Sequence, residues 1–154
     1  MPRFLTYTPI SMAELVAQVQ APALGGIATF LGLVRNHQDA RAVVRLEYSA
    51  YEPMAEAEAA RILGEAEARW PVKVALRHRL GTLAIGDIAV GVVAASAHRA
   101  EAFEACRYVI EAVKRRVPVW KREHYLDGTV AWVDPTAAEP LGEPANRTVS
   151  ETSR

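Results

Sequence analysis

The sequence predicts an α+β domain with a mixed or antiparallel sheet, about three helices and a C-terminal β-hairpin. Three observations point there. Three stretches carry apolar residues at helical spacing. Apolar runs rich in β-branched and aromatic residues fall between them without strict alternation, and Asp127-Gly128 stands between two such runs as a two-residue hairpin turn. A length of 154 residues fits one domain with a sizeable core.

Taken in order, Phe4 to Ile10 reads as a short extended opening. Ser11 with Glu14 forms a capping-box signature, and Met12, Leu15, Val16 and Val19 follow at helical spacing until Pro22 stops the pattern. After Gly25-Gly26, the run G-I-A-T-F-L-G-L-V-R predicts a buried strand that delivers Arg35 to its end. N-H-Q-D-A-R then reads as a loop. Beyond it Val44, Leu46, Tyr48 and Ala50 alternate with Arg45, Glu47, Ser49 and Tyr51, as in a strand with one buried face.

Pro53 suits a first helical turn, and the Ala- and Glu-rich segment to Trp70 carries Ile62, Ala66 and Trp70 on one apolar line. Pro71 ends that helix. V-K-V-A-L-R-H-R predicts a strand, and Gly81 and Gly86-Asp87 lead into another, I-A-V-G-V-V-A-A-S. Ser96 is placed to cap the last helix, whose apolar line is Phe103, Cys106, Ile110 and Val113. Pro118 cannot continue a helix and biases the residue before it away from helical geometry, so Lys114 closes the helix while Lys121 sits on extended chain. From Pro135 the composition shifts to Pro, Ala, Glu, Ser and Thr. The domain therefore spans 1–134, and 135–154 reads as a flexible tail.

Eighteen basic residues balance eighteen acidic ones, so no net field draws the chain toward nucleic acid or membrane. With no transmembrane-like span and no secretory leader, a soluble cytoplasmic protein is expected. The lone cysteine, Cys106, excludes an internal disulfide framework and falls on an apolar helix line, which makes it a buried structural thiol. His37 and His124 lack ligand-spaced partners, so no metal site is expected.

Basic residues recur where elements end: Arg35, His78-Arg79, His98-Arg99 at a helix start, and Lys114 to Arg116. Guanidinium groups grip phosphate through paired hydrogen bonds, and a helix N-terminus adds unpaired N–H donors, so this rim suits a small phosphorylated ligand. Lys121, beside Trp120 and among Arg115, Arg116 and Arg122, has the surroundings of an activated amine, with Glu123 on its own strand face as moderator or proton carrier. Two plainer readings stay open on the residues alone. Lys114 in a last helical turn complements the helix dipole, worth about 0.3–1 kcal/mol. Lys121 also fits an edge-strand lysine that discourages aggregation.

Five motifs together carry a resemblance: F-L-G-L-V-R at 30–35, Y-E-P-M-A-E at 51–56, H-R-L-G-T-L at 78–83, S-A-H-R-A-E-A-F-E-A-C at 96–106 and K-R-R-V-P-V-W-K-R-E at 114–123. Over roughly 25–134 the chain resembles the large, catalytic subunit of molybdopterin synthase. The resemblance implies an α/β hammerhead fold and sulfur transfer from the thiocarboxylated C-terminus of a small ubiquitin-like subunit. The acceptor would be cyclic pyranopterin monophosphate and the product the dithiolene of molybdopterin, with no tightly bound cofactor. It also implies a homodimer that carries two small subunits as a heterotetramer. Carried onto this chain, Lys114 and Lys121 match the catalytic lysines and Arg35, His98 and Arg99 the groups for the phosphorylated pterin. Leu33, Val34, Arg122 and Glu123 match pocket-lining positions. The competing readings are a basic nucleic-acid-binding module, which the zero net charge disfavours, and a non-catalytic scaffold, which has no need of both lysines.

Overall fold

The computed structural model describes residues 3–134; the tail expected from 135 onward lies outside the described residues. In chain order the elements are β1 (Leu5–Thr6), α1 (Met12–Val19), β2 (Gly26–Leu33), β3 (His37–Gln38), β4 (Arg41–Ala50), α2 (Glu52–Arg69), β5 (Val72–Arg79), β6 (Gly81–Ala84), β7 (Ile88–Ser96), α3 (Arg99–Arg116), β8 (Val119–Tyr125) and β9 (Val130–Val133). The α+β expectation with three helices and a terminal hairpin holds.

Two sheets form. The first has the order β1-β5-β7-β2, antiparallel except for the parallel β1–β5 pair. In the second, β3-β4-β8-β9 run side by side, and β6 pairs with β4 over Arg45 to Tyr48, beyond the residues that pair with β3. Strand alternation divides the first sheet's side chains between two layers. Val74, Leu76, Val90, Val92 and Ala94 face the core shared with α2 and α3, whereas Ala75, Val93 and Ala95 face Leu15 and Val19 of α1. α1 approaches β7 so closely that a Cβ on Gly91 would stand 3.0 Å from Met12 Sδ and 3.1 Å from Leu15 Cδ1, which is why glycine occupies that position.

Ser11 caps α1 as expected, its side chain accepting from the Glu14 N–H. Ser96 does not cap α3. It is the last residue of β7, its hydroxyl donates to the Pro71 carbonyl, and His98 takes the N-cap position without a side-chain bond. Phe103 leaves the expected apolar line and is 65% exposed, while Cys106 is buried and its thiol is pushed up to about 11 by burial. The loop read over 36–41 is a hairpin: β3 returns into β4 through Asp39 and Ala40, both at positive φ (49° and 65°). A bulge between Val43 and Arg45 changes the phase of β4, so Val43 is buried and Val44 exposed. At the C-terminal hairpin the Tyr125 N–H donates to the Thr129 carbonyl. The turn is therefore the three residues 126–128, with Gly128 at φ 90°, rather than the two expected.

The largest departure is β2. The sequence predicts a buried strand, but β2 pairs only with β7 and lies at the sheet's edge, leaving Ile27, Phe30, Leu31 and Leu33 exposed. No described helix is long and apolar enough to cross a membrane.

Candidate active site

The site lies at the seam between the two sheets. α3 runs antiparallel to β7, so its C-terminal turn returns Lys114 to the Val90 end of that strand. Three residues past the helix end at Arg116, Val119 opens β8, which pairs with β4 in the second sheet. The Val117-Pro118 break thus hands the chain from one sheet layer to the other, and two amines separated by seven positions meet across one cleft.

Lys114 and Lys121 border both an outer and an inner chamber. The outer cleft encloses about 610 Å³, counted to its open mouth, and is lined by Leu33, Arg35, His37, Gln38, Glu123 and the two lysines, with Val43, Leu46 and Tyr48 behind them. The inner chamber is apolar through Val90, Val113, Val117 and Val119 and polar only at Tyr48, His78 and the lysines.

Register explains this grouping. Lys121 stands opposite Tyr48 and Glu123 opposite Leu46, so all four project from one face of the β4–β8 pair. Glu123 is 2% exposed and places Oε2 3.2 Å from Lys121 Nζ. Burial, with a smaller contribution from Glu123, pushes the Tyr48 phenol up to about 12, so it is a neutral donor at ordinary pH. His78 is buried between Phe4 and Tyr48, edge-on to both. Its Nδ1 meets the Arg79 carbonyl at 2.9 Å; a carbonyl only accepts, so Nδ1 carries the proton and Nε2 the lone pair. Burial first, then the charge of Lys114, lowers the imidazole to about 4, against a backbone bond that raises it.

Of the sequence-predicted residues, Lys114, Lys121, Arg35, Leu33 and Glu123 come together. Val34 does not join them; its side chain packs with Val43, Leu46, Leu83, Ala89 and Tyr125. Arg122 points to the opposite face of β8, where it pairs with Glu47 at 3.3 Å and lies over Trp132. Adjacent strand residues face opposite ways, so Arg122 and Glu123 cannot line one cleft. Arg116 is likewise taken up, by Glu58 and Glu65 of α2 at 2.6 Å each. The counter-charge beside Lys121 is therefore Glu123, in place of the basic crowd the sequence suggests. His78, expected as a rim cation, is a buried neutral ring, and Arg79 pairs with Asp87. His98 and Arg99 are exposed at the far end of α3.

Tyr48, His37 and Gln38 escaped the sequence reading. Gln38 accepts from Arg35 Nη2 at 2.6 Å and so orients the guanidinium along the cleft wall. The hairpin at Asp39-Ala40 puts it there, and nothing in the periodicity of N-H-Q-D-A-R announces that turn. Tyr48 could have been found from its place on the buried side of β4.

A cleft with two amines from different elements, a guanidinium and a buried carboxylate has the groups to hold an anion and to stabilise developing negative charge. A family model described as MoaE protein matches residues 5–116. The molybdopterin synthase catalytic subunit of Nostoc sp. is 41% identical over 141 residues, covering 90% of this chain and 86% of that protein. Molybdopterin synthase catalytic subunit 1 of Mycobacterium tuberculosis is 45% identical over 130 residues, covering 84% and 88%. Among solved structures, molybdopterin synthase from Staphylococcus aureus aligns with a TM-score of 0.81 at 35% identity, over 85% of this chain and 96% of that one. The chain belongs to the MoaE protein family.

Proposed function

We propose that this chain is the catalytic subunit of a molybdopterin synthase, a cytoplasmic sulfurtransferase. In this reading it moves sulfur from the thiocarboxylated C-terminus of a small ubiquitin-like subunit onto cyclic pyranopterin monophosphate, yielding the molybdopterin dithiolene. The observation that carries it is the convergence of Lys114 and Lys121 on one cleft with Arg35. Arg35, oriented by Gln38, holds the phosphate. The two ammonium groups stabilise the negative charge that develops as sulfur attacks the pterin side chain, and Glu123 keeps Lys121 in place. With one buried cysteine, the chain takes its sulfur from a partner.

His98 and Arg99 enter through a second copy. Fifteen residues of α3 separate Arg99 from Lys114, about 22 Å along a helix, too far to close one cleft within a chain. The exposed β2 edge joins the two ends: Gly26 lies opposite Ser96, just before His98, and Leu33 opposite Ile88, at the lysine end. Antiparallel pairing of β2 with its own copy about a two-fold axis sets the Gly26 end of one chain beside Leu33 of the other. The partner's His98 and Arg99 are then brought to the Arg35 side of this cleft, and a small subunit in each cleft makes the heterotetramer.

The test mixes purified protein with thiocarboxylated small subunit and cyclic pyranopterin monophosphate and assays the dithiolene. Product is expected from the wild type, and Lys121→Ala should fold, bind the small subunit and lose about 10²-fold or more in rate. Small-subunit binding with no turnover by the wild type would instead favour a scaffold.

A further inference from the structure

Glu123 is the carboxylate that lines the cleft, it is buried, and its two oxygens are divided between two partners. Oε2 faces Lys121 Nζ, and Oε1 accepts from the Tyr125 hydroxyl. Lys121, Glu123 and Tyr125 alternate along β8 and share one face. An enclosed carboxylate is tolerable only when both oxygens are met, and two donors on opposite oxygens also fix the plane of the group.

Tyr125 is itself held from behind. Its ring is buried among Val34, Val43, Leu46, Leu83 and Ala89. The Arg41 guanidinium lies 3.5 Å over the ring centroid and is tied to the terminal hairpin by the Thr129 hydroxyl at 2.5 Å and by Asp127 at 3.5 Å. A continuous line of contacts therefore runs from the 126–128 turn through Tyr125 and Glu123 to the lysine.

We propose that Tyr125 is a positioning residue for Lys121: its hydroxyl occupies Oε1 of Glu123 and thereby turns Oε2 toward the amine. This role rests on Lys121 being catalytic. Tyr125 does not line the cleft, so it acts on the reaction only through Glu123. Its phenol is pushed up to about 12, chiefly by the bond to Glu123, which keeps the hydroxyl a donor at working pH.

Tyr125→Phe keeps the buried ring and the Arg41 contact and deletes only the hydroxyl. We expect kcat to fall about tenfold with KM for the pterin within about twofold, the loss of one hydrogen bond to a charged group. Added to Glu123→Leu, which has no acceptor for the hydroxyl, the same change should cost nothing further, because residues acting through one contact are non-additive. Wild-type kcat in Tyr125→Phe, or a full tenfold loss on top of Glu123→Leu, overturns the proposal. A readout independent of turnover, and of how Tyr125→Phe folds, is the exchange-protected Tyr125 hydroxyl proton by NMR, present in the wild type and lost in Glu123→Leu. Its absence from the wild type, or its persistence in Glu123→Leu, also overturns the assignment. A wild type that shows the proton but transfers no sulfur overturns the catalytic reading of Lys121 and with it the positioning role, leaving the Tyr125–Glu123 contact established.

Discussion

His78 and Lys114 border the same inner chamber, and the lysine's charge joins burial in holding the imidazole neutral. Lys121 also lines this chamber, Tyr48 meets the ring edge-on, and Glu123 faces the outer cleft beyond Lys121. By ¹⁵N NMR, His78 should remain in its Nδ1–H tautomer down to about pH 5 and titrate near 4. Lys114→Ala should raise that value while leaving it below 6.5, since burial persists. An unmoved His78 resonance in Lys114→Ala would show that the two groups do not interact.

The same histidine gives stability a defined acid dependence. Its folded-state value, about 4, lies below the ordinary 6.5, so its contribution is complete above 6.5 and is lost as pH falls toward 4. Full development of the shift corresponds to ~3 kcal/mol. Urea unfolding of the wild type should weaken across this window, and His78→Phe should flatten the dependence there.

Arg35 and Arg122 separate the two faces of the site. Arg35→Ala should raise KM for the phosphorylated pterin about tenfold, the scale of one charge-assisted hydrogen bond. Arg122→Ala, which loses only its Glu47 and Trp132 contacts, should turn over at close to the wild-type rate.

Two inactive variants should rescue each other if sites are shared between copies. Lys121→Ala and Arg99→Ala homodimers each lack an essential group at both sites, whereas a mixed dimer has one intact site. Random mixing should recover about a quarter of wild-type activity. Leu31→Asp on the exposed β2 edge should abolish that rescue and shift the protein toward monomer in light scattering.

Ala40 sits at φ 65°, where a Cβ is unfavourable. Ala40→Gly should stabilise the protein by about 1 kcal/mol in chemical denaturation and leave the pterin KM unchanged, because the turn geometry that places His37 and Gln38 is preserved.

What the sequence made legible were features written in local chemistry. Ser11 announces its helix because its hydroxyl meets the Glu14 N–H three residues away, and Pro118 separates Lys114 from Lys121 because its ring cannot follow a helix. The convergence of those lysines with Arg35 followed from reading where elements end. What stayed hidden depends on neighbours distant in sequence. Ile27 to Leu33 are as apolar as any core strand, and only the strand order reveals them as an edge. The phase of β4 turns on a bulge at Val43–Arg45, which periodicity alone misplaces by one residue. β6 is four residues that begin on Gly81 and becomes a strand only by pairing with β4. Tyr125 looks like an ordinary hairpin aromatic until alternation sets it behind Glu123.

The Val117-Pro118 break makes the two amines the tips of a caliper. One jaw, α3, is seated on β2 and β7 of the first sheet, and the other, β8, is stitched between β4 and β9 of the second. The gap between the tips is therefore set by how the two sheets seat against each other. Core substitutions under either jaw, far from any substrate, should alter the gauge of the cleft as surely as changes to the lysines.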